Sequence, residues 1–438
     1  MKLKIKQFGK IEEATIEVSG LSVITGNNDT GKSTVGKLLF SIIESISIFE
    51  TYSKKKLLVA KSNFLNEFVF STKILEYLRR NDKKEVLWKD VTELVDNFDR
   101  EKNDVQSFFQ SNPSDFETVI LKIKEFNSIK KDYAKPEFKF NVTLDDILKA
   151  EFKKQFNKEN SLIEVINGKT AISLIFDSVS QVKFQEQIDI DYLVNTFYSK
   201  VFFVEGAYVL ENCKLFADDK NRTLIDYLTE LKKTGEKKDD NYDFLSLHNK
   251  EMAKDLLSAM KKPLSLIDTD FCMKILKDIN EMINGKFVYN DQEDSLKFVR
   301  NEKSFDISNI ASGIKAFGIL NILLKSNILN ETGILVLDEP EANLHPIWQV
   351  KYAEFIVELI SKKKINILIN SHSPFFIDAL KKASIKFQLW GADNVNFYHA
   401  IENKNNTTNI KNIKDLDEKE TVIFDSFYKA YEAIDGIR

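Results

Sequence analysis

Residues 26–33 read Gly-Asn-Asn-Asp-Thr-Gly-Lys-Ser, a spacing of glycine, lysine and hydroxyl suited to holding a polyphosphate. Gly26 and Gly31 let the backbone wrap an anion. The N–H groups of Asn27, Asn28, Asp29 and Thr30, and a helix opening at Thr34, then point at it. Lys32 would place positive charge on the β- and γ-phosphates, and the Ser33 hydroxyl would coordinate Mg²⁺. The expected cofactors are therefore ATP and Mg²⁺. A chance glycine-rich turn is the competing explanation. It is opposed by the apolar run Leu21–Ile24 before the loop and by Val35, Leu38, Leu39, Ile42 and Ile43 at helical spacing after it.

Three further segments carry candidate chemistry. Ile334-Leu335-Val336-Leu337 reads as a buried parallel strand, with Asp338 and Glu339 at its C-terminal end, where open α/β sheets bind ligands. Asp338 would hold Mg²⁺, and Glu339 would orient and deprotonate an attacking water. A solvated acidic pair after a strand is the bland alternative. Ile365–Ile369 is another apolar strand, and it runs into Asn370-Ser371-His372-Ser373-Pro374. His372 could bond the γ-phosphate and the water; a surface or capping histidine is its alternative. Ser312-Gly313 opens a helix and could form an anion site; a plain N-cap by Ser312 is the common alternative, and the position shortly before the Asp338 strand favours the site.

These segments need a frame. Residues 2–7 and 12–18 alternate as a hairpin, Val201–Val204 is a buried strand, and Ala171–Phe176 and Gln181–Phe184 are strand-like, as are residues 137–142. Residues 50–135 read as a charged helical insertion with turn signals at Asn81-Asp82 and Asn112-Pro113. Residues 216–285 read as a projecting helical arm, broken at Thr234–Asn241 and Pro263. A hairpin is expected over 286–300, helices from 313 and over 347–362, a hairpin of Val395–Glu402 with Thr408–Ile413, and a terminal helix. The expected fold class is α/β: a P-loop head with a mixed sheet and an antiparallel β subdomain, split by helical insertions. The head would comprise 1–49, 136–215 and 286–438.

Among 438 residues, 63 basic side chains face 67 acidic ones, so bulk charge does not announce nucleic acid. Cys213 and Cys272 stand far apart, which argues against a zinc site or a disulfide framework and suggests a cytoplasmic chain. No apolar run reaches membrane-spanning length, so no membrane partner is expected.

The order of these motifs resembles the head of ABC-type ATPases, in particular the branch containing RecF, SMC and OLD (overcoming-lysogenisation-defect) proteins. Asp338-Glu339-Pro340-Glu341-Ala342-Asn343-Leu344-His345-Pro346 is similar to that branch's Walker B and D-loop, and Asn370–Pro374 to its His switch. The resemblance covers 1–45 and about 300–375. It implies a homodimer or higher oligomer that sandwiches two ATPs, with Ser312 and Gly313 facing the partner's γ-phosphate and Asn343 to His345 at the interface. The family signature is Leu-Ser-Gly-Gly-Gln/Glu. Matching Gly313 to its second glycine leaves Ala311 at the serine and Ile314 at the Gln/Glu position; sliding by one keeps Ser312 as the serine but loses the second glycine, and either register implies slow turnover. Glu205 is a candidate position for the glutamine loop. OLD nucleases add a Toprim domain; Asp415-Leu416-Asp417 has the spacing but lies in a charged stretch, and too little chain follows Pro374. The resemblance therefore implies a stand-alone ATPase subunit of Septu- or PARIS-like anti-phage systems, controlling a separately encoded nuclease or toxin. A RecF-like repair ATPase acting on DNA and a nucleotide-gated scaffold with little hydrolysis are the alternatives.

Overall fold

The computed structural model describes residues 1–80, 88–152, 161–168, 170–176, 182–184, 198–213, 223–230, 245–261, 270–293, 295–326, 328–329, 331–391, 393–413, 432 and 435–436. Strands β1 (Lys2–Phe8) and β2 (Ile11–Glu17) form a hairpin, and β3 (Leu21–Thr25) leads into the long helix α1 (Lys32–Ser71). Next come α2 (Ile74–Arg80), α3 (Trp88–Asp96), α4 (Phe98–Phe108), α5 (Pro113–Ala134) and α6 (Pro136–Glu151). Strands β4 (Leu162–Asn167), β5 (Thr170–Phe176), β6 (Val182–Phe184) and β7 (Lys200–Val204) precede α7 (Val209–Asn212), α8 (Leu224–Glu230), α9 (Leu247–Met260) and α10 (Asp270–Met282). Strands β8 (Lys286–Asn290), β9 (Ser295–Arg300) and β10 (Lys303–Asp306) make a small antiparallel sheet. The remaining elements are α11 (Ser312–Lys325), β11 (Gly333–Asp338), α12 (Pro346–Lys363), β12 (Asn366–Ser371), α13 (Pro374–Lys386), β13 (Val395–Glu402) and β14 (Thr408–Asn412).

The main sheet has eleven strands in the order β6-β5-β4-β1-β2-β14-β13-β3-β12-β11-β7. Strands β7, β11, β12, β3 and β13 are parallel neighbours. Beyond them β14 turns antiparallel to β13, runs parallel to β2, and the rest alternates. The fold is thus a mixed α/β one. All residues of β3 and β11 are buried, as suits strands covered on both faces. Helix α1 lies close on this sheet. A Cβ built on Gly36 would stand 2.9 Å from Val336 and 3.1 Å from Phe203, so only glycine fits without a shift.

The chain divides into two compact units, 1–47 with 144–438 and, separately, 48–143. The second unit has its own apolar core, in which Phe64 stacks on Phe126 with centroids 4.5 Å apart. In the first, a continuous core joins the parallel strands to α9–α13. Among the described residues no helix is long and apolar enough to cross a membrane. Cys213 and Cys272 are both buried and free.

Two expectations need correction. Residues 137–142 are helical, within α6. The alternation of Phe138 and Phe140 suggested a strand, but Phe140, Leu144, Ile147 and Leu148 are buried at helical spacing and Pro136 opens the helix. The described helices of 216–285 are also not a projecting arm. Met252, Ala253 and Leu256 of α9 and Cys272, Ile275 and Ile279 of α10 are almost fully buried in the head core. Exposed charges on α10, and half-buried ones interleaved with the apolar residues of α9, had masked that apolar stripe. Strand β4 was not anticipated, although Asn167-Gly168 at its end is a hairpin-turn dipeptide and Gly168 has φ +60°. Asn81-Asp82, Thr234–Asn241, Pro263, Asp415–Asp417 and nearly all of the terminal segment lie outside the described residues.

Candidate active site

The parallel strands all end at the same edge, and this convergence builds the site. The 26–33 loop leaves β3 with φ +144° at Gly26, +58° at Asp29 and +80° at Gly31, so it curls back on itself. A side chain at Gly26 would meet the Ala400 Cβ at 2.9 Å. Lys32 is buried inside the curl, where its ammonium donates to the carbonyls of Gly26 (3.0 Å) and Asn27 (2.5 Å). The Thr30 hydroxyl donates to the Asn27 carbonyl at 2.8 Å. Asn27, Asn28 and Asp29 are exposed, and Asp29 pairs with Lys10 at 2.8 Å. Burial lowers the Lys32 pKa, against the opposing pull of Glu339, Asp338 and Glu341. Ser33 and Thr34 follow in the first turn of α1.

β11 supplies the acids. The Asp338 carboxylate is hydrogen-bonded by Ser33 and, at 2.8 Å, by the Asn370 amide. Burial raises its pKa despite both bonds. β11 and β12 pair in register Asp338 to Asn370, which explains the second contact. Glu339 takes φ +48°, unusual for a residue with a side chain. Its N–H bonds the Asn370 carbonyl at 2.9 Å and its Oε1 lies 2.9 Å from His372 Nδ1. Glu341 is buried; burial raises its pKa, and it accepts from the Ser371 hydroxyl at 2.5 Å.

His372 occupies a short connection with a clear local cause. β12 stops at Ser371, Ser373 caps α13 by accepting from the Phe376 N–H at 3.4 Å, and Pro374 fills the first turn. The cap is therefore Ser373, and His372 remains exposed. Ser373 also donates to Gln349 of α12 at 2.9 Å, and Gln349 donates to the Leu344 carbonyl at 3.1 Å. This ties the His372 turn to the Asn343–His345 segment, where Asn343 adopts φ +64°.

Lys32, Ser33, Asp338, Glu339 and His372 thus form one cluster. Ser312 and Gly313 belong to another neighbourhood: a Cβ on Gly313 would stand 3.2 Å from Leu344 and 3.3 Å from Trp348. Ala311, not Ser312, is the N-cap of α11 and makes no side-chain cap bond, so the plain-cap explanation for Ser312 does not hold. Asn370 and Glu341 were within recognised segments but had no expected role. Asn370 stands two residues before His372 and Glu341 three after Asp338, and that proximity was the available signal.

Could this cluster hold Mg²⁺? A serine hydroxyl and a carboxylate, adjacent and oxygen-only, are the hard donors that ion takes, alongside phosphate oxygens. Asn370, which bonds Asp338, keeps its buried Oδ1 without a protein hydrogen-bond partner. The residues present fit the ion.

The AAA ATPase domain family model matches residues 1–377. No curated protein matches the chain. Among solved structures it is similar to an SmcHead bound to the C-winged helix domain of ScpA, with 10% identity, 94% of this chain and 96% of that one covered, and a TM-score of 0.44. It is also similar to the SMC head domain from Thermotoga maritima, with 9% identity, 94% and 97% coverage and a TM-score of 0.38. A third similarity is to a Smc head domain with an extended coiled coil bound to the C-terminal domain of ScpA derived from Pyrococcus furiosus. There the identity is 11%, the coverage 100% and 98%, and the TM-score 0.39. Scores this low transfer neither ligand nor partner.

Proposed function

The chain belongs to the AAA ATPase domain family, and on that premise we propose that it binds ATP with Mg²⁺ on the 26–33 loop and hydrolyses it to ADP and phosphate. The observation that carries this reading is the meeting of Ser33 with Asp338, and of Glu339 with His372, at one sheet edge beside Lys32. Lys32 binds the β- and γ-phosphates. Ser33 and Asp338 hold Mg²⁺, which when bound neutralises phosphate charge. Asn370 orients Asp338 through its amide. Glu339 takes the proton of the attacking water at its carboxylate, and His372 holds that carboxylate in place at 2.9 Å.

In the same reading the site is half of a composite. Ser312 and Gly313 of a second copy complete it, and Asn343 to His345 line the interface. The exposure of Asn343, His345 and Ile347 supports this arrangement. The chain then works as an ATP-gated subunit controlling a separate effector nuclease or toxin in anti-phage defence, with DNA a further candidate partner. This finer role rests on the motif resemblance alone. Ala311 at the signature-serine position favours slow turnover, and in the limit a nucleotide-gated scaffold.

The composite is tested by size measurement of Glu339→Gln with and without ATP. An ATP-dependent doubling of mass is expected. Identical mass in both conditions contradicts the sandwich.

A further inference from the structure

A buried polar chain runs from the end of α6 to the edge of the candidate site. Val204 of β7 is opposite Leu337 of β11, so Glu205 leaves the sheet level with Asp338. Its Oε1 lies 3.6 Å from the Lys37 ammonium in α1. Its Oε2 accepts from Asn249 Nδ2 at 2.8 Å and from the Tyr208 hydroxyl at 3.0 Å, and lies 3.1 Å from His248 Nε2. On the far side, His248 Nδ1 is 2.5 Å from Glu151 Oε1, and the His248 N–H donates to Glu151 Oε2 at 3.1 Å. The imidazole has no solvent exposure. It stacks on Phe203, centroids 4.2 Å apart, with Phe40 edge-on at 6.1 Å.

Burying a histidine between two carboxylates in an aromatic slot costs free energy unless every contact is made, and an apolar side chain of similar volume would fill the slot more cheaply. What the arrangement supplies is direction: it fixes the Glu205 carboxylate on one heading with a single rotamer of each partner. That carboxylate leaves the sheet level with Asp338 and faces Lys37, one helical turn past Ser33 in α1. Burial alone would raise the Glu205 carboxyl; His248, then Lys37 and Asn249, outweigh it and hold it at about 2.

We propose that His248 and Glu151 are positioning residues for ATP hydrolysis, acting through Glu205, which they aim at the end of β11 beside Asp338. The inference rests on the ATPase reading above. A brace that merely ties α6 to α9 would stabilise the fold without entering the rate. The two roles separate in a double-mutant cycle on the full chain, with Mg²⁺-ATP as the probe.

His248→Asn is expected to lower kcat about tenfold or more while KM changes little, because binding groups stay and alignment is lost. Glu205→Gln should do the same. The Glu205→Gln/His248→Asn double variant should be no slower than the slower single one. A kcat unchanged in His248→Asn, or losses that multiply in the double variant, overturns the proposal. Where His248→Asn does not fold, Glu151→Gln, which keeps shape and most hydrogen bonds, replaces it in the cycle with the same two outcomes. Wild-type protein that releases no phosphate would instead overturn the ATPase reading itself.

Discussion

The two halves of the eleven-stranded sheet use charge in opposite ways. In the alternating half, charged side chains pair across neighbouring strands, as Lys4 does with Glu164 at 2.9 Å between β1 and β4. In the parallel half the strands are apolar and buried, and the charges come after them: Glu205 after β7, Asp338 and Glu339 at the end of β11, His372 after β12, and Lys32 past β3. Antiparallel neighbours send successive ends to opposite edges. Parallel neighbours gather every C-terminal end on one edge, so acids and bases from separate strands are brought to the same edge. The candidate site residues thus follow strand direction, and the alternating half contributes none of the cluster around Asp338.

Substitutions in the two halves should therefore fail differently. Lys32→Ala should show the largest effect, weakening ATP binding by ~100-fold or more through loss of a charge-assisted phosphate contact, with little change in melting temperature. Titration with a fluorescent ATP analogue checks this, and unchanged affinity would remove the loop from the site. In the alternating half, Phe176 is fully buried and meets Phe8 edge-on at 5.8 Å. Phe176→Ala should cost roughly 3–5 kcal/mol of stability, while the protein that remains folded binds ATP normally. Denaturant unfolding and binding measured on the same sample decide this; an affinity loss in step with stability would mean that the halves are not separable.

A smaller effect tests burial at the root of the parallel half. Glu44 of α1 is pushed up to about 8, first by burial, against the partial relief of Lys200. The folded state keeps a proton there that the unfolded chain releases above its ordinary carboxylate range. Stability from this group is thus lost as pH rises from about 4.5 to about 8 and stays low above that. Glu44→Gln should flatten the pH dependence and add on the order of 1–3 kcal/mol above pH 8. Thermal melts from pH 5 to pH 9 read the slope, and parallel curves for both proteins would contradict the assignment.

The contrast also explains what was legible in the amino-acid sequence. Apolar runs such as Leu21–Ile24 and Ile334–Leu337, with their polar residues adjoining, placed β3, β11 and the residues at their ends, because strand, turn and functional side chain are contiguous there. The turn before α13 was readable for the same reason. Less visible were features whose partners are distant in the chain. Glu151 and His248 meet Glu205 only after folding, and no local pattern marks those two. Helix α6 misled through two phenylalanines at strand spacing. α9 and α10 misled through their charge, since an amphipathic helix on a core and one in solvent differ only in what covers the apolar stripe.

In the proposed function the residues at the parallel edge carry out hydrolysis, with Glu339 as base. The most direct measurement is phosphate release by wild-type protein and Glu339→Gln under saturating Mg²⁺-ATP, with nucleotide binding measured alongside. Slow but measurable release is expected from wild type, with a loss of roughly 100-fold or more in the variant and ATP still bound. Release at the wild-type rate from Glu339→Gln, or none from either protein, would contradict it.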